Sequence, residues 1–196
     1  LVVWATQVIG MTRMYQGSFA AARHYLERTL EFDDIHHAEM LPVRGRDPRV
    51  VYRSFAASIL WSLGYPDQAQ QLSHEAVRLA KAANHPPTLA MALSVVNMIP
   101  SVLRLEYQAV PKLVEAFARL AAEHTLGLSE PGTRIAAGGA MVHEGQTSMG
   151  IAKMEQGLAA WRATGTKAWA SMHLGMMADA YLVSGRLEQA RDALTR

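Results

Sequence analysis

The sequence predicts an all-α chain of stacked helical hairpins, about five of them, each roughly 40 residues long. Three observations carry this. A tight-turn glycine recurs in one local pattern at Gly17, Gly64, Gly145 and Gly185. A small residue stands seven positions before each of them (Gly10, Ala57, Gly138, Ala178) and another five positions after (Ala22, Ala69, Gly150, Ala190). No segment alternates apolar and polar residues long enough to make a strand.

Each feature has a physical reason. A helix that ends in a tight turn needs a residue free to adopt positive φ, which glycine does without steric cost. Small residues on either side of the turn let the second helix lie close on the first. The glycines are separated by 47, 81 and 40 residues, and 81 is close to twice 40. A unit lacking the glycine is therefore expected between them, turning near Leu105 and spanning 88–124. In order, helices are expected near 1–15, 18–33, 49–63, 66–84, 87–104, 108–124, 131–144, 147–164, 167–184 and 187–196. Pro66 and Pro111 suit first turns, where no amide hydrogen is needed. The one long connection, 34–48, contains Pro42, Gly45 and Pro48, which forbid a continuous helix.

The chain has 196 residues, 50% of them apolar and only 18% charged, with mean hydropathy +0.02. That is enough to bury a core, and too apolar for disorder. A net charge of +2, from 19 Lys and Arg against 17 Asp and Glu, argues against nucleic acid or an anionic membrane as partner. With no cysteine there are no disulfides, thiolate metal sites or cysteine nucleophiles, a usage that fits a cytoplasmic protein. The longest apolar stretch, Leu89 to Leu103, is broken by Ser94, Asn97, Pro100 and Ser101, and does not read as a membrane span. Leu1-Val2-Val3-Trp4 does not read as a secretory start. The missing initiator Met and an end within Gln189–Leu194 lead us to expect one solenoid over 1–196 that is a fragment of a longer protein.

The small residues around the turns are the tetratricopeptide signature, stretched from about 34 residues to about 40. At Arg46-Asp47-Pro48 through Leu63-Gly64-Tyr65-Pro66-Asp67-Gln68-Ala69, and again over Gly150 to Gly165, the sequence resembles a known group. It looks like the C-terminal tetratricopeptide-like region of large bacterial signalling proteins. Those carry a signal-transduction ATPase preceded by an adenylate/guanylate cyclase domain or a winged-helix domain. The resemblance implies a sensing or scaffolding module. The catalytic residues of that family do not come with these segments. There is no Gly-x-x-x-x-Gly-Lys-Ser/Thr loop, and none of the four lysines (Lys81, Lys112, Lys153, Lys167) follows a glycine-rich turn. No sheet is expected to carry a cyclase aspartate pair.

Other candidate chemistry is sparse. His36-His37-Ala38-Glu39 has metal-ligand types at i, i+1 and i+3 rather than the helical i and i+4, so a solvated loop is the better reading. Arg44, Arg46, Arg49 and Arg53 beside Asp47 could fork an anion, but also read as a charged loop before a helix. Glu115, Glu123, Glu144 and Glu155 form no evident acid/base pair. His74, His124, His143 and His173 are spread over separate helices, and a helical catalytic pocket around His143 or His173 would need convergent polar partners.

The expected binding surface is the face of each hairpin's first helix. Counting back from the turn glycines gives Trp4, Gln7, Met11 and Met14, then Ser54, Ser58 and Trp61, then Ile135 and Val142, then Met172, Asp179 and Leu182. Its methionine and aromatic content suits an adaptable groove for a protein segment or an apolar small ligand, and it equally suits packing. The functional expectation is a non-catalytic, cofactor-free interaction module. Its partner would be another protein or the chain's own ATPase or cyclase domains. The alternative is a scaffold that oligomerises, for instance as a homodimer.

Overall fold

The computed structural model describes residues 2–31, 45–94, 107–124 and 129–195. His36, His37, Glu39, Arg44, most of the 34–48 connection, the turn near Leu105 and the side chain of Trp4 lie outside the described residues. The chain divides into two compact units, Leu1–Pro100 and Ser101–Arg196. The first contains α1 (Val2–Tyr15), α2 (Phe19–Glu31), α3 (Pro48–Ser62), α4 (Pro66–Ala82) and α5 (Pro86–Met91). The first described element of the second is a 3-10 turn at Tyr107–Ala109. It continues with α6 (Val110–Glu123), α7 (Ser129–His143), α8 (Thr147–Ala163), α9 (Ala170–Val183) and α10 (Leu187–Leu194). Among the described residues every regular element is helical.

Both units use one stacking rule. In the first, α1 pairs with α2 and α3 with α4, and α3 lies against both helices of the hairpin before it. In the second, α7 pairs with α8 and α9 with α10, and α9 lies against both α7 and α8. Helix α6 packs on α7 from the preceding side.

The turn glycines do what their spacing predicts. Their φ angles are 76°, 83°, 86° and 74° at Gly17, Gly64, Gly145 and Gly185. After each, the next amide reaches back over the helix end: Ser18 to Arg13 O, Tyr65 to Leu60 O, Gln146 to Met141 O and Arg186 to Tyr181 O, all at 2.8–2.9 Å. This Schellman closure satisfies carbonyls that the helix end leaves open.

The small residues explain the close pairing. A Cβ on Gly138 would lie 2.5 Å from Gly150 O, and one on Gly150 would lie 2.6 Å from Gly138 O. Backbones of α7 and α8 therefore touch where the two glycines cross. Ala22, Ala57, Ala69, Ala178 and Ala190 are buried at the corresponding places.

The start of α3 is fixed by a polar relay. Buried Asp47 caps the helix through Arg49 N at 2.9 Å and holds the Arg49 guanidinium at 3.2 and 2.7 Å. Its own amide donates to Thr88 Oγ1, which meets His85 Nδ1 at 2.8 Å. Beside this relay, Val50, Ala76, Ala80, Met91 and Ala92 form the core joining α3, α4 and α5.

Several boundaries differ from the sequence reading by one to three residues. Helix α9 begins at Ala170 rather than 167 because Trp169 adopts a left-handed φ of 62° that ends the preceding turn. Helix α7 begins two residues early, with Pro131 accommodated in its first turn. The helix expected over 87–104 is described as α5 followed by a wider π-type turn through Ser94.

Candidate functional site

The face expected to bind carries three kinds of residue. Gln7, Met14, Ser54, Ile135 and Val142 are buried. Met11, Ser58, Trp61, Met172 and Asp179 are half-buried, and Leu182 is exposed. Along α3 the serines turn inward on their own helix. Ser54 Oγ donates to Val50 O, Ser58 Oγ to Ser54 O and Ser62 Oγ to Ser58 O, at 2.6, 3.2 and 3.0 Å. Their hydroxyls are spent locally, so this strip presents an apolar character despite its composition.

In the second unit the same face holds a polar cluster. His143, at the end of α7, and Asp179, on α9, meet at 2.7 Å through Nε2 and Oδ2. The Tyr107 hydroxyl donates to the same Oδ2 at 3.0 Å. The Tyr107 ring stacks on the His143 imidazole, with centroids 3.7 Å apart and planes 13° from parallel. A Cβ added to Gly139, one turn before His143, would meet Tyr107 Cε1 at 4.0 Å, an ordinary van der Waals contact. Burial first, then the Asp179 charge and hydrogen bond, raise the Tyr107 phenol well above its ordinary value of 10. Tyr107 is therefore a permanent donor, and the cluster clasps the 3-10 turn onto α7 and α9.

Sequence reasoning placed Asp179 on this face and singled out His143, but left Tyr107 unmentioned. The partners are 36 and 72 residues apart in the chain, and no local pattern joins them. The other histidine of that reading, His173, lies elsewhere, edge-on to Trp161 at 4.5 Å and 2% exposed.

The arginine group is largely spoken for. Arg49 belongs to Asp47, and Arg53 pairs with Glu75 at 3.1 Å. Among the described residues, no three His, Asp or Glu side chains converge as metal ligands.

Two open clefts fall at one place in the repeat. One, of about 240 Å³, lies among α2, α3 and α4; the other, of about 320 Å³, lies among α8, α9 and α10. Counted from the turn glycines, Glu27 matches Glu155, Leu60 matches Tyr181, and Gln68 matches Gln189. Arg23 and Arg162 add one cation to each. The signal for these clefts was in the phase of the acidic and amide residues relative to the glycines.

No family model matches the chain, and no curated protein matches it. Solved structures do. A Podosopora anserina kinesin light chain-like protein with nearly identical TPR-like repeats is 18% identical, with TM-score 0.58, covering 98% of this chain and 92% of that one. A point variant of that protein is 17% identical, with TM-score 0.59, covering 98% and 91%. At this identity the likeness is one of fold: a tetratricopeptide-like array of helical hairpins.

Proposed function

We propose that the chain is a non-catalytic protein-interaction module of a bacterial signalling regulator, which takes a partner segment or an apolar ligand against the first helices of its hairpins. The supporting observation is that Met11 and Trp61 in the first unit, and Met172 in the second, are half-buried apolar residues on the first helices of their hairpins. Methionine and tryptophan adapt to varied apolar surfaces, and on the helix that carries Met172, Asp179 supplies one fixed acidic point. The resemblance of residues 46–85 and 145–190 to signalling regulators supports the bacterial, cytoplasmic context. No described helix is long and apolar enough to cross a membrane.

A photo-crosslinking amino acid at position 61 or 172 tests this in cells. Discrete adducts are expected there, and their loss is expected when Trp61→Glu and Met172→Glu are combined with a crosslinker at Met11. Equal labelling from exposed Lys81 on α4 would sink the reading.

A further inference from the structure

Asp179 carries more than its structural part requires. Both of its hydrogen bonds, from His143 Nε2 at 2.7 Å and from the Tyr107 hydroxyl at 3.0 Å, end on one oxygen, Oδ2. No described residue donates to Oδ1, which is open to solvent, and the side chain is 39% exposed. An amide oxygen would accept from both donors as well. What a carboxylate adds is charge and a second, free acceptor.

That charge is not cancelled nearby. An imidazole with its one proton on Nε2 suffices as donor, and the tyrosine is neutral, so the cluster keeps the full negative charge. Helix α9 has no other Asp, Glu, Lys or Arg, and on α7 Glu130 and Arg134 pair with each other at 2.8 Å. Half-buried Met172 lies two turns before Asp179 on the same side of α9. Stacking does not cover this place in the repeat. Met11 and Ser58, also six residues before their glycines, stay half-buried although further hairpins follow them.

We propose that the face of α9 takes a basic partner segment: a lysine or arginine of that segment meets Asp179 Oδ1, while an apolar side chain of the same segment meets Met172. This rests on the groove reading above and names the chemistry of its partner. Seven residues of helix separate the two points by about 10 Å. A partner matches that span with about three residues of extended chain or about seven of helix. The two donors on Oδ2 already hold the carboxylate in place, so binding a cation costs it little side-chain freedom. A charge-assisted hydrogen bond to the free oxygen then fixes the register of the segment.

Selection of random phage-displayed peptides on residues 1–196 tests it. Bound peptides are expected to share a Lys or Arg with an apolar residue at one of those two spacings. For a synthetic copy of one selected peptide, Asp179→Asn should weaken binding about tenfold. Replacing the peptide's cation by norleucine should cost as much on the unaltered chain and nothing further on Asp179→Asn. Asparagine keeps an oxygen for Tyr107 and His143, so melting should stay unchanged, and the coupling between the two replacements reads the contact itself. Raising salt about tenfold should weaken the unaltered complex and spare the Asp179→Asn one. Met172→Gln, polar but uncharged, separates the outcomes. Binding lost in Met172→Gln yet indifferent to Asp179→Asn and to the peptide's cation overturns the cation contact and leaves the groove reading standing. Binding indifferent to all three replacements puts the peptide elsewhere and overturns both for this unit. Selected peptides without a shared cation overturn the proposal as well.

Discussion

His173 is buried against Trp161, and its Nδ1 has no hydrogen-bond partner. Burial lowers its pKa from 6.5 to about 4. The folded protein thus holds the neutral ring, while the unfolded chain takes up a proton below about 6.5. Stability from this residue is complete above that pH and drains away as pH falls toward the folded value. The full loss is roughly 3 kcal/mol, at about 1.4 kcal/mol per unit. Denaturant titrations at neutral pH and at the shifted value of about 4 should show this difference, and His173→Phe should flatten it. Tyr107 behaves in the opposite sense. Its phenol should ionise above the ordinary tyrosine value of 10 in an alkaline ultraviolet titration. Tyr107→Phe should cost about 1 kcal/mol, because Asp179 keeps His143 when the hydroxyl goes.

For the helices, glycine has two opposite meanings. Gly150 lies where α8 touches α7, and a methyl group there meets backbone at 2.6 Å. Gly150→Ala should destabilise by about 2 kcal/mol or more, despite alanine's better helix propensity. Gly175, within α9, has nothing within 4 Å of an added Cβ. Gly175→Ala should therefore stabilise by about 0.5–1 kcal/mol. Denaturant midpoints of the two variants check both signs. The helices and their turns were legible because each is decided within a few residues: a glycine of positive φ, a proline in a first turn, a small residue at a crossing. The start of α9 was not, since Trp169 in a left-handed conformation breaks the rule that only glycine and small polar residues sit there easily. The candidate surface was half legible. Phase relative to the glycines put Asp179 and Trp61 on the first helices of their hairpins, but burial of Ser54 and Ile135 depends on neighbouring hairpins.

Taken whole, the chain is two compact units with the same internal rule, and stability in such arrays is largely a sum over neighbours. Damage should therefore stay local. In Gly150→Ala, amide hydrogen exchange should quicken across α7–α10, while amides of α1–α4 keep their protection. Uniform acceleration throughout the chain would show a single cooperative block instead.

The forty-residue interval from Gly145 to Gly185 has a genetic corollary. A cut at one glycine and a join at the other leaves every turn, crossing and buried position in phase. Such a segment can be duplicated in frame, lengthening the protein by one hairpin without a new interface having to be invented. An insert that ignores the interval would place polar residues where Ala180 or Met154 must be. The turn glycines thus act as reading marks for growth of the gene as well as hinges of the backbone.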